Sequence, residues 1–165
     1  MATLKNKTIL ITGGTGSFGK KFIDIILKKD KPKKIIIFSR DELKQYHMKA
    51  QLKKYNKIIR YFIGDVRELD RLKLAMQNVD VVIHAAALKH VESGEYNPFE
   101  VIKTNVTGTQ NVVDAVVSSK VDKAIFLSTD KAVSPINLYG ASKLAAEKLF
   151  IAANNFSTKK FSVVK

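Results

Sequence analysis

Residues 12–19 of this 165-residue chain, Thr12-Gly13-Gly14-Thr15-Gly16-Ser17-Phe18-Gly19, form a glycine-rich stretch between an apolar run and an amphipathic one. The apolar run, Thr8–Ile11, is typical of a strand, and the amphipathic run, Ser17–Lys29, is typical of a helix. Gly13 permits a tight turn, Gly16 lets backbone amides approach a pyrophosphate, and Gly19 lets the helix pack closely on the sheet. The helix start also offers unpaired N–H groups and a partial positive charge. The stretch therefore predicts an anion-binding turn that opens a βαβ unit.

Three glycines alone are weak support for a dinucleotide site, because glycines also mark ordinary turns. Their spacing is G-x-x-G-x-x-G, which differs from the G-x-G-x-x-G of other dinucleotide-binding loops. Their position between a strand and a helix is what favours a dinucleotide. We assign these residues of the stretch to the cofactor: Gly13, Thr15, Gly16, Ser17, Phe18 and Gly19.

Apolar runs and longer amphipathic stretches alternate along the whole chain. The runs predict strands at 8–11, 34–38, 58–63, 79–84, 123–128 and 161–164, and the stretches predict helices at 17–29, 41–54, 67–77, 98–119 and 138–155. Continuously apolar strands are typical of a sheet that is buried on both faces. Strict alternation predicts an α/β fold with a doubly wound parallel sheet, of the Rossmann type, over residues 1–165. Ligands of such sheets bind at the carboxyl edge of the strands.

Composition narrows the class of protein. The chain has no cysteine, so disulfides and thiolate metal sites are excluded, and its three histidines are too scattered to predict a metal site. The formal net charge is +14, but the lysines are spread along the chain, which favours a solvated surface over a nucleic-acid interface. No apolar run is long enough to span a membrane, and no signal peptide is evident. We therefore expect a cytoplasmic protein with no nucleic-acid or membrane partner.

The second predicted strand is followed by Ser39-Arg40-Asp41-Glu42-Leu43-Lys44, where a dinucleotide-binding domain selects its cofactor. Arg40 and Lys44 are four residues apart and suit a 2′-phosphate, with Ser39 as a further donor, so NADP is favoured. Asp41 could instead serve the ribose of NAD. A purely structural alternative is a helix start, because Ser39-x-x-Glu42 matches a capping box.

The third and fourth predicted strands also end in residues that suit a cofactor. Asp65 could bond the adenine amino group, or it could be the N-cap of the next helix. We assign it to the cofactor together with its neighbour Val66. Ala85 and Ala86 would let a cofactor lie flat across the end of the fourth strand, although alanines are also common in close helix–sheet packing.

The fifth predicted strand ends in Ser128-Thr129-Asp130-Lys131, and the next predicted helix carries Tyr139 and Lys143. These two residues are four apart and share one helical face. A nearby ammonium favours the ionised phenol, which makes Tyr139 a usable base, and Lys143 can also bond a nicotinamide ribose. The alternative to a chemical role for Asp130 and Lys131 is that they lie in a solvated loop after the strand.

Together these motifs resemble the extended short-chain dehydrogenase/reductase family, and within it the inverting UDP-N-acetylglucosamine 4,6-dehydratases of polysaccharide and pseudaminic acid biosynthesis. The resemblance runs from about Lys7 to Lys165. It rests on TGGTGSFG (12–19), SRDELK (39–44), GDVR (64–67), AAALKH (85–90), EYNP (95–98), KTN (103–105), STDK (128–131) and PINLYGASK (135–143). The stretches AAALKH and STDK are the most specific of these.

The resemblance implies an NADP-dependent lyase that acts on a UDP-sugar. Tyr139 would take the proton of the C4 hydroxyl as that carbon is oxidised, and Thr129 would bond the C4 oxygen. Lys131, if kept neutral, would remove the C5 proton, and a protonated Asp130 would give its proton to the departing C6 hydroxyl. Hydride would return to C6 with inversion at C5.

Two further residues take their roles from the resemblance alone. Lys89 would lie near the cofactor or the sugar, and Asn105, which we count with the cofactor site, matches a structural asparagine of the family. Relatives have about as many residues again, in a substrate-binding domain that we expect to be absent here. We therefore expect the chain alone to be inactive and the full-length enzyme to be a homo-oligomer. The alternatives are a sugar-nucleotide epimerase or reductase of the same family and a non-catalytic NADP-binding interaction module.

Overall fold

The computed structural model describes residues 4–165, so Met1–Thr3 of the predicted domain lie outside the described residues. Six strands form one sheet: β1 (Thr8–Thr12), β2 (Lys34–Ser39), β3 (Ile59–Ile63), β4 (Val81–His84), β5 (Lys123–Leu127) and β6 (Lys160–Val164). Their order is β3-β2-β1-β4-β5-β6, and every neighbouring pair is parallel. The predicted doubly wound Rossmann-type fold is therefore confirmed.

Helices connect the strands: α1 (Ser17–Lys29), α2 (Glu42–Gln51), α3 (Leu69–Ala75), α4 (Val91–Tyr96), α5 (Pro98–Ile102), α6 (Gly108–Val117) and α7 (Leu138–Ala152). They cover both faces of the sheet, so the side chains that point to either side of a strand enter one of two cores. In β1, Ile9 and Ile11 pack into one core and Leu10 packs into the other, and all three are fully buried. This two-sided burial explains the continuously apolar strands. Across residues 4–165, no helix is long and apolar enough to span a bilayer.

The helix predicted over 98–119 is present as one helical path from Pro98 to Val117, but it contains a π-helical turn that the sequence did not predict. The chain forms α5, then a π-helical turn at Lys103–Thr107, and then α6. A π turn inserts an extra residue into the helical path and occurs often at functional sites. Here it carries Asn105, whose side chain bonds the backbone of Leu88 on the other side of a loop. Because a one-dimensional periodicity contains no information about such a distant partner, it could not predict the interruption.

Candidate functional site

A cleft of about 600 Å³ lies at the carboxyl edge of β1, β2, β3 and β4. Of the residues that we assigned to the cofactor from sequence, it is lined by Gly13, Thr15, Gly16, Ser17, Phe18, Gly19, Ser39, Arg40, Asp41, Lys44, Asp65, Val66, Ala85, Ala86 and Lys89. Asn105, Tyr139 and Lys143 do not line it. The fold therefore gathers residues from four separate segments at one edge of the sheet.

The glycine-rich turn has no room for side chains at two of its positions. Gly13 has a φ of +67°, and a Cβ there would lie 2.9 Å from the backbone N and Cα of Ala86. A Cβ on Gly19 would overlap the backbone of Gly14, so the first turn of α1 lies directly against the loop. Gly16 is the N-cap of α1, and no side chain caps the helix. The first amides of α1 are thus left to an anion in the cleft.

The segment after β2 differs from the predicted capping box. The N-cap of α2 is Asp41, whose Oδ1 accepts a hydrogen bond from the Lys44 amide at 2.8 Å, and its other oxygen lies 2.9 Å from Lys44 Nζ. These contacts with Lys44 hold the pKa of Asp41 below its ordinary value. Ser39 is the last residue of β2 and is buried, and its hydroxyl accepts from Gln45 Nε2 at 3.0 Å. The capping alternative for Ser39 was therefore wrong.

Asp65 lies at the end of β3 between two arginines. It accepts from Nε and Nη2 of Arg67 at 2.9 and 2.7 Å, and Arg40 Nη1 is 3.3 Å away. Burial by itself raises the pKa of Asp65, but the hydrogen bonds from Arg67 and the charge of Arg40 hold it below its ordinary value. The N-cap of α3 is Glu68, so the alternative of Asp65 as a helix cap was wrong. The adenine contact of Asp65 stays a prediction, and Arg67 is a neighbour that sequence reasoning missed.

Thr104 is a second residue that sequence reasoning missed. It lies on the π-helical turn, lines the cleft and is only 3% exposed. Its hydroxyl is buried without a hydrogen-bond partner among the described residues. Buried hydroxyls in native proteins are nearly always bonded, so this group is available to a ligand in the cleft. Its signal in the sequence is its place beside Asn105 in the KTN motif.

Asn105 supports the cleft without lining it. Its Oδ1 accepts from the Leu88 amide at 2.8 Å, and its Nδ2 donates to the Leu88 carbonyl at 2.9 Å and to Ser142 Oγ at 3.0 Å. The residue is 1% exposed, and both ends of its amide are occupied. Asn105 therefore holds the loop after β4, and its contact with a cofactor stays a prediction.

Lys143 lies on α7, one turn after the half-buried Tyr139. Its ammonium donates to the Leu127 carbonyl and lies 3.9 Å from the centre of the Phe126 ring. Burial lowers the pKa of Lys143 to about 8, against the opposing charge of Glu147. The lysine of the predicted pair is thus anchored to the end of β5, and its contact with a ribose stays a prediction.

The predicted acid–base residues lie at the end of β5. Thr129 donates to Asp130 Oδ1 at 2.9 Å and caps the short 3-10 turn Asp130–Ala132, while Lys131 Nζ is 3.5 Å from Asp130. This turn packs against the start of α7, since a Cβ on Gly140 would overlap the Lys131 carbonyl. The fold therefore brings the STDK motif beside the helix turn that carries Tyr139.

The surroundings of Asp130 differ from those that a protonated carboxyl group requires. The side chain of Asp130 is 88% exposed, and that of Lys131 is 56% exposed. The hydrogen bond from Thr129, followed by the charge of Lys131, lowers the pKa of Asp130. A protonated Asp130 is therefore not the state that these surroundings favour. Such a state requires apolar cover that the described residues do not supply.

Comparison with known proteins agrees with the fold and the motifs. A family model described as polysaccharide biosynthesis protein matches residues 9–165. The chain is 59% identical over 162 residues to a UDP-N-acetylglucosamine 4,6-dehydratase (inverting) of Campylobacter jejuni, covering 96% of this chain and 48% of that protein. It is 51% identical over 150 residues to a UDP-glucose 4-epimerase of Rickettsia akari, covering 89% of this chain and 43% of that protein.

Among solved structures, Pen from Bacillus thuringiensis superposes with a TM-score of 0.94 at 45% identity, covering 98% of this chain and 51% of that chain. The chain spans about half the length of each of these relatives. By its match over residues 9–165, the chain belongs to the polysaccharide biosynthesis protein family, among the extended short-chain dehydrogenase/reductases that its motifs resemble.

Proposed function

We propose that this chain carries the cofactor site and the acid–base residues of an NADP-dependent UDP-N-acetylglucosamine 4,6-dehydratase that inverts C5. The observation that carries the proposal is the packing of the turn Asp130–Ala132 against the start of α7, at the same sheet edge as the glycine-rich turn. This packing supports the proposal because it brings the turn that carries Asp130 and Lys131 beside the helix turn that carries Tyr139. The sequence likeness to the Campylobacter enzyme supports the same reaction.

The cleft fits a nicotinamide dinucleotide. The glycine turn leaves space and unpaired amides for a pyrophosphate, and the free hydroxyl of Thr104 offers a partner to a bound ligand. NADP is favoured over NAD because Arg40 and Lys44 both line the cleft. Asp41, the residue that would serve an NAD ribose, is occupied in capping α2. A bound nicotinamide dinucleotide would supply the acceptor of hydride from C4 and the donor of hydride to C6.

The reaction needs four protein groups in sequence. Tyr139 takes the C4 hydroxyl proton as that carbon becomes a ketone, and Thr129 holds the C4 oxygen. The ketone acidifies the neighbouring C5–H, whose proton passes to Lys131. Asp130 protonates the C6 hydroxyl, which leaves as water. To complete the reaction, C6 regains hydride and C5 regains a proton from solvent on its opposite face. Since its contacts hold the pKa of Asp130 low, a bound sugar must exclude water from Asp130 and Lys131 before the second step.

The test uses the full-length gene product with UDP-N-acetylglucosamine in deuterated water. Mass spectrometry and NMR should show a sugar nucleotide that has lost one water, carries a 4-keto group and contains deuterium at C5. A product of unchanged mass would reject the dehydratase.

One alternative has a specific observation in its favour, namely the 51% identity to a UDP-glucose 4-epimerase. An epimerase would return a sugar that keeps its C6 hydroxyl and has an altered configuration at C4. The same product analysis therefore separates the two reactions.

A further inference from the structure

His84 is a buried histidine that the proposed chemistry does not use. It ends β4, is fully buried and lies against the rings of Phe126 and Phe150, at centroid distances of 5.4 and 6.5 Å. Each ring nitrogen has a hydroxyl partner. Thr12 Oγ1 is 2.6 Å from Nδ1, and Thr109 Oγ1 is 3.0 Å from Nε2. Since β1 and α6 supply these partners, the ring joins two distant segments of the chain.

The hydrogen bonds of the two threonines determine the tautomer of His84. The Thr109 hydroxyl donates to the Asn105 carbonyl at 2.6 Å, so its oxygen is left to accept from Nε2–H. The Thr12 oxygen accepts from the amides of Ala85 and Ala86 at 3.2 and 3.3 Å, so its hydrogen is left for an unprotonated Nδ1. Burial, followed by the charge of Lys143, lowers the pKa of His84 to about 3, in agreement with a neutral ring.

Thr12 and Asn105, which His84 and Thr109 connect, hold the loop of residues 85–88 at its two ends. Thr12 bonds the loop where it leaves β4, at the amides of Ala85 and Ala86, and the Asn105 side chain bonds both backbone groups of Leu88. The alanines lie in the wall of the cleft. A second branch runs from Asn105 to Ser142 Oγ, whose hydroxyl donates to the carbonyl of Tyr139 at 2.8 Å.

We propose that His84 is a positioning residue, which ties Thr12 to the π-helical turn at Asn105 and thereby fixes residues 85–88 as one wall of the cleft. We call the hydrogen-bonded set Thr12, His84, Thr109 and Asn105, which holds residues 85–88, the clamp. The clamp itself is a property of the fold. Its importance for cofactor binding rests on the proposed function. The two parts are therefore tested by separate measurements.

Amide hydrogen exchange tests the clamp, with Thr109→Val as the main variant. The change removes the acceptor of Nε2–H while keeping the side-chain shape. Exchange at Leu88 should rise because Asn105 is loosened directly. The decisive site is Ala86, whose amide bonds Thr12, so the hydrogen bonds that lead to it from Thr109 pass through His84. We expect exchange at Ala86 to rise by about tenfold, as for the loss of one buried hydrogen bond.

Two controls separate this effect from general destabilisation. Thr109→Ser keeps the hydroxyl, so its exchange rates should equal those of the parent protein. Thr8→Val removes another buried threonine of β1 at the opposite end of the strand, and it should leave Ala86 unchanged. If Thr109→Val does not fold, Thr12→Val supplies the test in the other direction, with Leu88 as the reporter. Unchanged exchange at the distant reporter would overturn the clamp.

Titration with NADPH tests the positioning role. Thr12→Val and Thr109→Val should each weaken binding by about fivefold, and the double variant should lose little more, because one network is broken in each case. Faster exchange at Ala86 with unchanged NADPH affinity would overturn the role of His84 in shaping the cleft. A parent protein that does not bind NADPH would reject the proposed cofactor, and the exchange rates would still decide the clamp.

Discussion

The ammonium of Lys143 donates a hydrogen bond to the carbonyl of Leu127 at 2.5 Å, which joins α7 to the last residue of β5. The turn that carries Thr129 follows that strand end directly. The lysine therefore helps to set the position of the predicted acid–base residues relative to Tyr139. Its charge is kept almost entirely away from water, at 3% exposure.

This burial predicts a pH-dependent stability. Burial depresses the pKa of Lys143 from 10.5 to about 8, so between these values the unfolded chain holds a proton that the folded chain has released. Folding is penalised most below about pH 8, and the penalty is relieved as the pH rises towards 10.5. Relative to Lys143→Met, the parent should gain on the order of 3 kcal/mol across this window, measured by urea unfolding at several pH values. Parallel stability curves for the two proteins would contradict the burial penalty.

Arg40→Ala should reduce the preference for NADP over NAD. The guanidinium is half-exposed at the cleft and only loosely paired with Asp65, so it can turn to a 2′-phosphate. Removing it should cost about 1.5–3 kcal/mol of NADP binding by calorimetry and should leave NAD binding nearly unchanged. Arg60→Ala is the matched control, because that guanidinium bonds the carbonyls of residues 56, 57 and 59. An equal loss for both cofactors would remove Arg40 from the 2′-phosphate site.

Thr104→Val should have opposite effects on stability and on binding. The free protein should become slightly more stable, by up to about 1 kcal/mol, because a buried hydroxyl without a partner is replaced by a methyl group. Cofactor affinity should fall if a bound ligand satisfies that hydroxyl. Thermal unfolding and NADPH titration measure the two effects. Unchanged affinity would show that the hydroxyl does not face the ligand.

Asp41→Ala should destabilise the protein by about 1 kcal/mol, because α2 loses its N-cap. Asp41→Asn keeps a capping oxygen and should recover most of that stability, since the exposed ion pair with Lys44 contributes little. Chemical unfolding gives the stabilities, and calorimetry with NAD tests the alternative role. A large loss of NAD affinity in Asp41→Asn would identify this carboxylate as a ribose ligand.

Lys131→Ala should separate catalysis from folding and cofactor binding. The side chain is more than half exposed, so stability should change by less than about 0.5 kcal/mol, and NADPH affinity should be retained. In the full-length gene product, the substitution should abolish C5 deuterium exchange and water loss. Lys120→Ala, a lysine change before β5 and outside the cofactor cleft, is the control. An unchanged dehydration rate would favour the epimerase.

The sequence by itself determined the class of fold and most of the cofactor cleft. Strand periodicity, the spacing of Gly13 and Gly19, and the residues at the strand ends are local properties. Parallel strands bring their carboxyl ends to one edge whatever the details of packing. The lining of the cleft therefore includes distant segments, such as those of Arg40, Asp65 and Ala86, that were selected from sequence alone.

Tertiary structure decided which side chains of those segments bond one another and which are buried. The bond between Thr12 and His84 spans 72 residues, and the π-helical turn places Thr104 in the cleft while Asn105 holds the loop behind it. The contacts of Asp130 with Thr129 and Lys131 lower its pKa, and burial lowers the pKa of Lys143. Hydrogen-bond partners and desolvation are set by groups far away in sequence, so no local pattern contains them.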